Sequence, residues 1–208
     1  MSAPVLRLLP AGSCSSGATW IDAVDPDDDE LETAAQQLGC ADAVVQWLRA
    51  TDRPGRPHAV DGSISFVLPV PEAMDGRDAA EDDPTIAVVV TADGTLTVHH
   101  GDVAPTIDVV ARALSDAGRE RTSIAPVLGL IDQAVDRYEL AVDHLTRQQA
   151  AHGTEVLRVA RGTESPTDIV ADSLALATQV DRVSGRLRRL RQVVIGLRHA
   201  VVTDDGRR

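Results

Sequence analysis

Two acidic runs are the parts of this sequence most able to attract a metal ion. Acids fill five of the six positions from Asp25 to Glu30, and Glu81-Asp82-Asp83 forms a second run. Hydrated Mg²⁺ prefers carboxylate ligands and keeps its own waters. The first run equally suits a helix N-terminus, whose dipole stabilises negative charge, and the second suits an exposed loop. We favour these structural interpretations, assign no residue as a metal ligand, and expect at most weak binding of Mg²⁺ or another divalent cation.

The histidines give no clear metal pattern. His99 and His100 are adjacent at the end of a predicted strand. Since successive side chains of a strand point to opposite faces, the two imidazoles cannot easily share one ion, and we expect ordinary surface or core histidines. His152 lies with Gln149 on the apolar seam of a predicted long helix. A polar residue on such a seam often fixes helix register; a functional role for His152 is the alternative.

A basic stretch near the end of the chain raises the question of nucleic acid. It consists of Arg182, Arg186, Arg188, Arg189 and Arg191. The net charge of the whole chain is -12, which would repel phosphates. Aromatic residues that could stack on bases are missing nearby. We predict no nucleic-acid partner, and expect these arginines to pair with the acidic surface of a neighbouring helix or subunit.

The remaining reactive residues form no recognisable catalytic or zinc motif. Cys14 and Cys40 are isolated, with no Cys-x-x-Cys pair and no accompanying histidine cluster. We interpret them as ordinary thiols in a reducing compartment. The sequence also has no Gly-rich phosphate loop, no Gly-x-Ser-x-Gly and no His-Glu-x-x-His. We therefore predict no catalytic residues, no firmly bound cofactor and no enzyme activity; an enzyme would require a deep pocket with convergent polar groups.

The first 120 residues predict an α/β unit. Its core must be aliphatic, because apolar residues make up 43% of the chain and aromatics only 2%. A helix should begin with Asp25 as its cap and Pro26 at its first position, and end at Gly39. Asp93-Gly94 between two β-branched runs predicts a hairpin. The predicted strands are Val5–Leu9, Thr19–Val24, Ser63–Val70, Thr85–Thr91 and Thr95–His100, and the other helices Asp42–Ala50 and Thr106–Ala117.

The rest of the chain predicts two long helices. From Ile124 to Val159 and from Ile169 to Val201, apolar residues recur with an average period of 3.5, as in a narrow coiled-coil seam. The first seam is Ile124, Leu128, Ile131, Val135, Tyr138, Val142, Leu145, Gln149, His152, Val156 and Val159. The second is Ile169, Ser173, Leu176, Val180, Val183, Leu187, Leu190, Val194, Leu197 and Val201. Gly162 and Pro166 separate the helices, which predicts an antiparallel hairpin packed seam against seam that projects from the α/β unit.

The hydropathy pattern contains no predicted membrane span. The longest apolar runs are short stretches such as Ile86–Val90 and Val127–Ile131. A membrane helix needs about 20 consecutive apolar residues, and the N-terminus has no signal-peptide pattern. We therefore expect the chain as given not to cross a bilayer.

Several strings, in this order, resemble the CorA family of magnesium and divalent-cation transporters over about residues 18–202. Trp20-Ile21-Asp22 before an acidic helix start is similar to that family's Trp-Ile-Asp strand, and Asp52-Arg53-Pro54 to its Gln-Arg-Pro. Leu96-Thr97-Val98-His99-His100 resembles its Leu-Val-Thr-Val-His-Glu strand. The long helices are similar through Val127-Leu128, Ile131-Asp132, Val135-Asp136, Tyr138, Leu187-Arg188-Arg189-Leu190-Arg191 and Leu197-Arg198. Gly196 replaces a frequent Pro of the family, and His199 a frequent Glu.

The resemblance implies a homopentamer whose long helices form a funnel on the cytoplasmic face of the inner or plasma membrane. A stalk helix and two membrane helices would follow in the family. Its Gly-Met-Asn pore motif is absent, because the only methionines are Met1 and Met74. Where magnesium-sensing members have an acidic residue, this chain has Gln46-Trp47. We therefore carry over no metal ligand from the family.

Taken together, the fold class is predicted as α/β (α+β): a mixed β-sheet flanked by helices, followed by a long antiparallel helical hairpin. Residues 1–120 would form the α/β unit, 121–203 the hairpin and 204–208 a disordered tail. The predicted function is the soluble cytoplasmic domain of a CorA-like transporter, assembling with its own copies and meeting divalent cations, with membrane contact only through a further C-terminal segment. It would be part of a longer protein or a short paralogue. The alternative is a stand-alone helical-hairpin oligomerisation protein without an ion-transport role.

Overall fold

The computed structural model describes residues 5–9, 18–50, 53, 56–70, 84–100, 103–116, 122–160 and 166–205. The strands within these ranges are β1 Val5–Leu9, β2 Thr19–Val24, β3 His58–Val60, β4 Ser63–Pro69, β5 Thr85–Val90 and β6 Gly94–His99. The helices are α1 Asp28–Gln37, α2 Asp42–Arg49, α3 Ala104–Asp116, α4 Ala125–Ala160 and α5 Pro166–Asp205. The predicted fold class is confirmed: a sheet with flanking helices is followed by two long helices.

The six described strands form one mixed sheet in the order β1-β2-β6-β5-β4-β3. Only β2 and β6 are parallel, with Thr19 opposite Gly94 and Val24 opposite His99. The other four neighbouring pairs are antiparallel. A parallel pair needs a long crossover, and here the crossover from β2 to β6 contains α1, α2 and the three strands on the far side of the sheet.

Alternating side chains of the sheet supply two separate cores, one on each face. One face packs against α1 and α2 through Ile21, Ala23, Leu31, Ala34, Leu38, Val44, Leu48, Ala87, Val89, Leu96 and Val98. The other packs against α3, α4 and α5 and includes Trp20, Phe66, Leu68, Val88, Ile107, Val110, Leu130, Tyr138, Leu190 and Val193. Because both faces of the sheet are covered, the sequences of its central strands are nearly continuous runs of apolar residues.

The start of α1 differs from the prediction. Asp27, not Asp25, is the N-cap: its carboxylate accepts a hydrogen bond from the Glu30 backbone N–H at 2.8 Å, and the Glu30 carboxylate accepts one from the Asp27 N–H. Asp25 has a positive φ of 46°, and its N–H donates to the His99 carbonyl. The reciprocal capping box satisfies two otherwise unpaired N–H groups, and so it sets the first turn. The predicted end at Gly39 is confirmed, since Gly39 has a φ of 63° just past the helix.

A strand that was not predicted and two helix boundaries also differ from the prediction. The sequence analysis missed β3, whose three residues pair with Ser63–Ser65 of β4 at the edge of the sheet. This strand is too short to show a period of two. α3 begins at Ala104, two residues earlier than expected. α5 extends to Asp205, two residues into the segment predicted as a tail, and residues 206–208 lie outside the described part.

The helical hairpin is confirmed. α4 has 36 residues and α5 has 40, which at about 1.5 Å per residue gives lengths of about 54 and 60 Å. His152 near the end of α4 contacts Ser173 near the start of α5. The N-terminal part of α4 and the C-terminal part of α5 contribute to the core on the sheet face that α3 also covers. The helices therefore run antiparallel, and their connected ends extend beyond the sheet.

The seam-against-seam prediction is wrong in one respect. Tyr138 and Leu145 of the first seam are buried, but Leu128, Val135 and Val142 are 53, 39 and 41% exposed. The buried hydrophobic residues of α4 are instead Val127, Leu130, Ala134, Tyr138, Ala141 and Leu145, a face rotated by about one residue. The physical reason is that the hairpin must cover the sheet as well as its partner helix. Its buried face is therefore turned towards the sheet, and part of each seam is left outside.

Candidate functional site

A buried polar cluster joins β2 and β6, the two strands that carry the Trp-Ile-Asp and Thr-Val-His strings. Asp22 is fully buried, and its carboxylate accepts a hydrogen bond from the Thr97 hydroxyl at 2.6 Å. The indole N–H of Trp20 donates to the same Thr97 hydroxyl oxygen at 3.1 Å. The His99 Nε2 lies 3.3 Å from an Asp22 oxygen. Four polar side chains, two from each of two segments far apart in the sequence, thus meet on the face of the sheet that α3, α4 and α5 cover.

His99 and His100 lie in different environments, as predicted from strand alternation. His99 is 1% exposed and belongs to the buried cluster. The imidazole of His100 is exposed, and its Nδ1 lies 2.8 Å from the Asp25 carboxylate. The two side chains therefore lie in separate environments, and that they do not bind one metal together stays a prediction.

The first acidic run is used for helix capping and surface ion pairs. Asp27 and Glu30 form the capping box already described. Arg49 of α2 lies 3.3 Å from the carboxylates of both Asp28 and Glu32. These contacts support the interpretation of this run as a charged helix start. Glu81-Asp82-Asp83 lies outside the described residues.

The Gln46–Trp47 position lies on α2 beside an arginine. Gln46 is exposed, while the indole N–H of Trp47 is buried and has no hydrogen-bond partner within the described residues. The Arg53 guanidinium lies 5.8 Å from the centre of the Trp47 ring and donates to the Trp47 and Leu48 carbonyls. Burial lowers the pKa of Arg53. A cation in contact with an indole face gives this site a positive rather than a metal-binding character.

Cys40 follows the Gly39 turn and is half-buried; Cys14 lies outside the described residues. Burial raises the pKa of the Cys40 thiol, so its thiolate fraction near pH 8 is lower than that of an exposed cysteine. We expect a Cys14→Ser variant to react with Ellman's reagent more slowly in the folded state than in denaturant at the same pH. Stopped-flow absorbance measures both rates, and equal rates would contradict this expectation.

The helical hairpin exposes an apolar stripe on the side facing away from the sheet. Its members lie at every seventh position, except that the polar Gln149 stands between Val142 and Val156. They are 38–53% exposed: Leu128, Val135, Val142 and Val156 of α4, and Val180, Leu187 and Val194 of α5. If these residues occupy position a of a heptad, most buried residues of both helices fall on d and g. In an antiparallel pair the g positions of both helices lie on the same side of the pair, which here faces the sheet. The a positions lie towards the opposite side. We call the seven residues the outer stripe.

Charged residues of opposite sign flank the outer stripe. Asp132 and Glu139 follow its α4 members by four residues, and Arg191 and Arg198 follow Leu187 and Val194 of α5 in the same way. All four side chains are exposed. Within the predicted basic stretch only Arg186 is buried, at 7% exposure, while Arg182, Arg188, Arg189 and Arg191 point to solvent. Beside Leu128 and Val135 the flank of the outer stripe is thus acidic, and beside Leu187 and Val194 it is basic.

His152 is half-buried, and its Nε2 lies 2.7 Å from the Ser173 hydroxyl of α5. Gln149, the other polar residue predicted on the seam, is exposed. The contact between His152 and Ser173 joins the two helices near their connected ends, so it can fix their register as the sequence indicated.

A depression of about 410 Å³ lies on α3 and is lined by Asp108, Ala111, Arg112, Ser115 and Asp116. All five residues belong to one helix, so the depression does not bring together polar groups from different elements. It does not have the convergent lining that an enzyme pocket would require.

No helix of the part that the structure describes combines the length and the apolarity needed to cross a membrane.

Together, a mixed sheet covered by helices on both faces and a projecting antiparallel hairpin define an α/β domain with a helical extension. The family model described as CorA-like Mg²⁺ transporter protein matches residues 15–206. The chain therefore belongs to this family. No curated protein sequence matches the chain.

Two solved structures, with TM-scores of 0.59 and 0.50, share the fold described above. The full-length CmaX protein aligns with a TM-score of 0.59 and 12% identity, covering 94% of this chain and 69% of that chain. The ZntB cytoplasmic domain from Vibrio parahaemolyticus RIMD 2210633 aligns with a TM-score of 0.50 and 14% identity, covering 94% and 91%. The CorA magnesium transporter from Methanocaldococcus jannaschii gives 0.47 and 14%, covering 91% and 72%.

Proposed function

We propose that this chain is the cytoplasmic domain of a CorA-like divalent-cation transporter, and that it assembles and regulates the transporter by self-association through the outer stripe. Membership of the family supports the transporter context. The net charge of -12 suits a domain that meets divalent cations before or after they cross the membrane. The division into a unit over residues 1–120 and a hairpin over 121–203 stays a prediction.

The outer stripe is the observation that carries the assembly proposal. Seven exposed apolar side chains at heptad positions, interrupted on α4 by the exposed Gln149, are what one helix pair offers to another, and exposed apolar surface of this kind marks an interaction site. The flanking charges favour a second copy as the occupant. A neighbouring hairpin would place its arginines Arg191 and Arg198 against Asp132 and Glu139, which favours this pairing over random contact.

The test is the molar mass in solution of the wild type and of Val135→Glu/Leu187→Glu. We expect the wild type to form an oligomer, which the family suggests is a pentamer, and the double variant to sediment as a monomer. Two buried charges in an apolar interface would cost several kcal/mol. Analytical ultracentrifugation measures the mass.

The matched control is Leu140→Glu/Leu174→Glu. These leucines lie on the same two helices, are 67 and 69% exposed, and are not part of the outer stripe. The control should keep the wild-type mass.

A charge exchange adds a second test: Asp132→Arg should weaken association, and Arg191→Glu should restore it in the same chain. A monomeric wild type, or a Val135→Glu/Leu187→Glu variant of unchanged mass, would rule out assembly through this face.

A further inference from the structure

Three potential metal ligands meet across the hairpin, away from the sheet. A ring nitrogen of His152 and one carboxylate oxygen each from Glu155 and Asp172 lie within 4.8 Å of one another. His152 and Glu155 are on α4 and Asp172 is on α5. His152 and Glu155 are half-buried, whereas Asp172 is exposed. A group of this composition spans two elements and is open to solvent on one side.

The heptad pattern shows why these residues face one another. His152 continues the series of Tyr138 and Leu145 at seven-residue spacing. Glu155 continues that of Ala134 and Ala141 after Gln148. Asp172 occupies the corresponding position on α5, seven and fourteen residues before Gln179 and the buried Arg186. Near the sheet, the α4 positions in series with His152 and Glu155 hold buried apolar side chains. Further along the hairpin, the same inner side carries an imidazole and two carboxyl groups.

The Ser173 hydroxyl fixes the protonation pattern of the His152 ring. Ser173 Oγ lies 2.7 Å from the Ile169 carbonyl oxygen, which can only accept, so the single hydroxyl proton is donated there. The oxygen must then accept the hydrogen bond at 2.7 Å from His152 Nε2–H. The neutral imidazole consequently keeps its lone pair on Nδ1. Metal-binding histidines usually donate their other ring N–H to such a partner, which orients the ring.

The donor types indicate the class of ion. Imidazole nitrogen suits Zn²⁺, Co²⁺, Ni²⁺ and Fe²⁺, and Mg²⁺ prefers an all-oxygen octahedron. One imidazole and two carboxylates with a water would complete a tetrahedral zinc site, in which ligand atoms lie about 3.4 Å apart for bonds of about 2.1 Å. The present separations are at most 4.8 Å, so side-chain rotations need to bring the ligand atoms closer by about 1.4 Å or less. Two carboxylates this close repel each other, and a divalent cation would remove the repulsion.

We propose that His152, Glu155 and Asp172 form a site for one divalent transition-metal ion, with Zn²⁺ as the ion used to test it, and that the ion joins α4 to α5. Ser173 acts as a positioning residue through His152. The site binds a different class of ion from Mg²⁺, and the proposal does not depend on the outer stripe or on transport.

Isothermal titration of the whole chain with zinc chloride tests the site. We expect one Zn²⁺ per chain, and an affinity at least 10-fold lower in each of His152→Ala, Glu155→Gln and Asp172→Asn. Co²⁺ should give the visible absorption of a tetrahedral nitrogen and oxygen site, and excess Mg²⁺ should not displace either ion. Saturating Zn²⁺ should raise the Tm by about 5 °C in the wild type and leave that of His152→Ala unchanged.

Matched variants separate metal binding from general damage. His144→Ala removes the other described histidine on α4 and should leave zinc affinity unchanged. Ser173→Ala should weaken binding about 10-fold, and Ser173→Thr, which keeps the hydroxyl, should restore it. Far-UV circular dichroism checks that each variant keeps its helices. The monomeric Val135→Glu/Leu187→Glu variant should bind zinc like the wild type, so failure of the assembly proposal would not affect this one.

Two results would overturn the proposal. One is a wild type that binds no Zn²⁺ at micromolar concentrations. The other is a bound Zn²⁺ whose affinity survives all three ligand substitutions, because the ion would then lie elsewhere on the chain.

Discussion

Replacement of Gly94 by alanine should cost more than about 4 kcal/mol of folding stability, a loss that few single substitutions reach. Gly94 begins β6 and lies opposite Thr19 of β2. A Cβ at this position would lie 2.0 Å from the Thr19 carbonyl oxygen and 2.9 Å from a Leu38 methyl group. The nearest atom is backbone in the only parallel pair of the described sheet, so relief requires β2 and β6 to separate.

The same substitution at Gly185 is the matched control. Gly185 lies within α5, and a Cβ there would meet nothing within 4 Å. Because alanine is favoured over glycine by about 1 kcal/mol within a helix, Gly185→Ala should be stabilising. Urea unfolding followed by circular dichroism measures both variants. A Gly94→Ala protein within about 1 kcal/mol of the wild type would show that β2 and β6 approach less closely than described.

Gly94 also illustrates how far the sequence could predict the sheet. Asp93-Gly94 correctly predicted the hairpin of β5 and β6, but on the assumption of a turn that needs positive φ. Positive φ occurs in the described residues at Asp25, Asp61, Gly39 and Gly62, and not at Gly94. The turn is instead held by the Thr91 hydroxyl, which accepts hydrogen bonds from Asp93 and Gly94 N–H. The close neighbour that requires glycine lies 75 positions away and is invisible to a local pattern.

The helices were predictable where one periodic pattern dominated. The 3.5-residue period and the break at Gly162 and Pro166 gave both long helices and their hairpin. The period alone could not say which half of each seam would be covered. That depends on the sheet beneath, which buries Ala134 and Ala141 and leaves Val135 and Val142 exposed. Alanine carries little weight in a pattern, so the true inner face was not recognised.

The candidate sites were predictable only in part. Strand alternation correctly separated His99 from His100. The meeting of Trp20 and Asp22 with Thr97 and His99 requires the parallel register of β2 and β6, which no local spacing contains. Glu155 and Asp172 were not recognised beside His152, although His152 and Glu155 are three residues apart on a helix. The signal that could have found them is the seven-residue series that becomes polar towards the end of the hairpin.

The buried cluster makes Asp22 the second position where a large effect is expected. Asp22→Ala should cost about 3–5 kcal/mol, the usual range when one partner of a buried polar pair is removed. The carboxylate is fully buried and accepts the Thr97 hydroxyl hydrogen bond. Without it, the Thr97 hydroxyl and His99 Nε2 lose a partner in a region without water access. Each such group costs about 1–3 kcal/mol when left unsatisfied.

Graded variants distinguish loss of the hydrogen bonds from loss of volume. Asp22→Asn keeps an oxygen for Thr97 and the side-chain size, and should cost roughly 1–3 kcal/mol. His100→Ala removes the exposed imidazole that contacts Asp25 next to the same strands, and should change stability by less than about 1 kcal/mol, as exposed pairs do. Chemical denaturation measures all three.

Thr97→Val combined with Asp22→Ala should lose less folding stability than the sum of the two single variants, because the second substitution removes a group already left without its partner. Additive losses would mean that Asp22 and Thr97 contribute independently and that the cluster does not act as a unit.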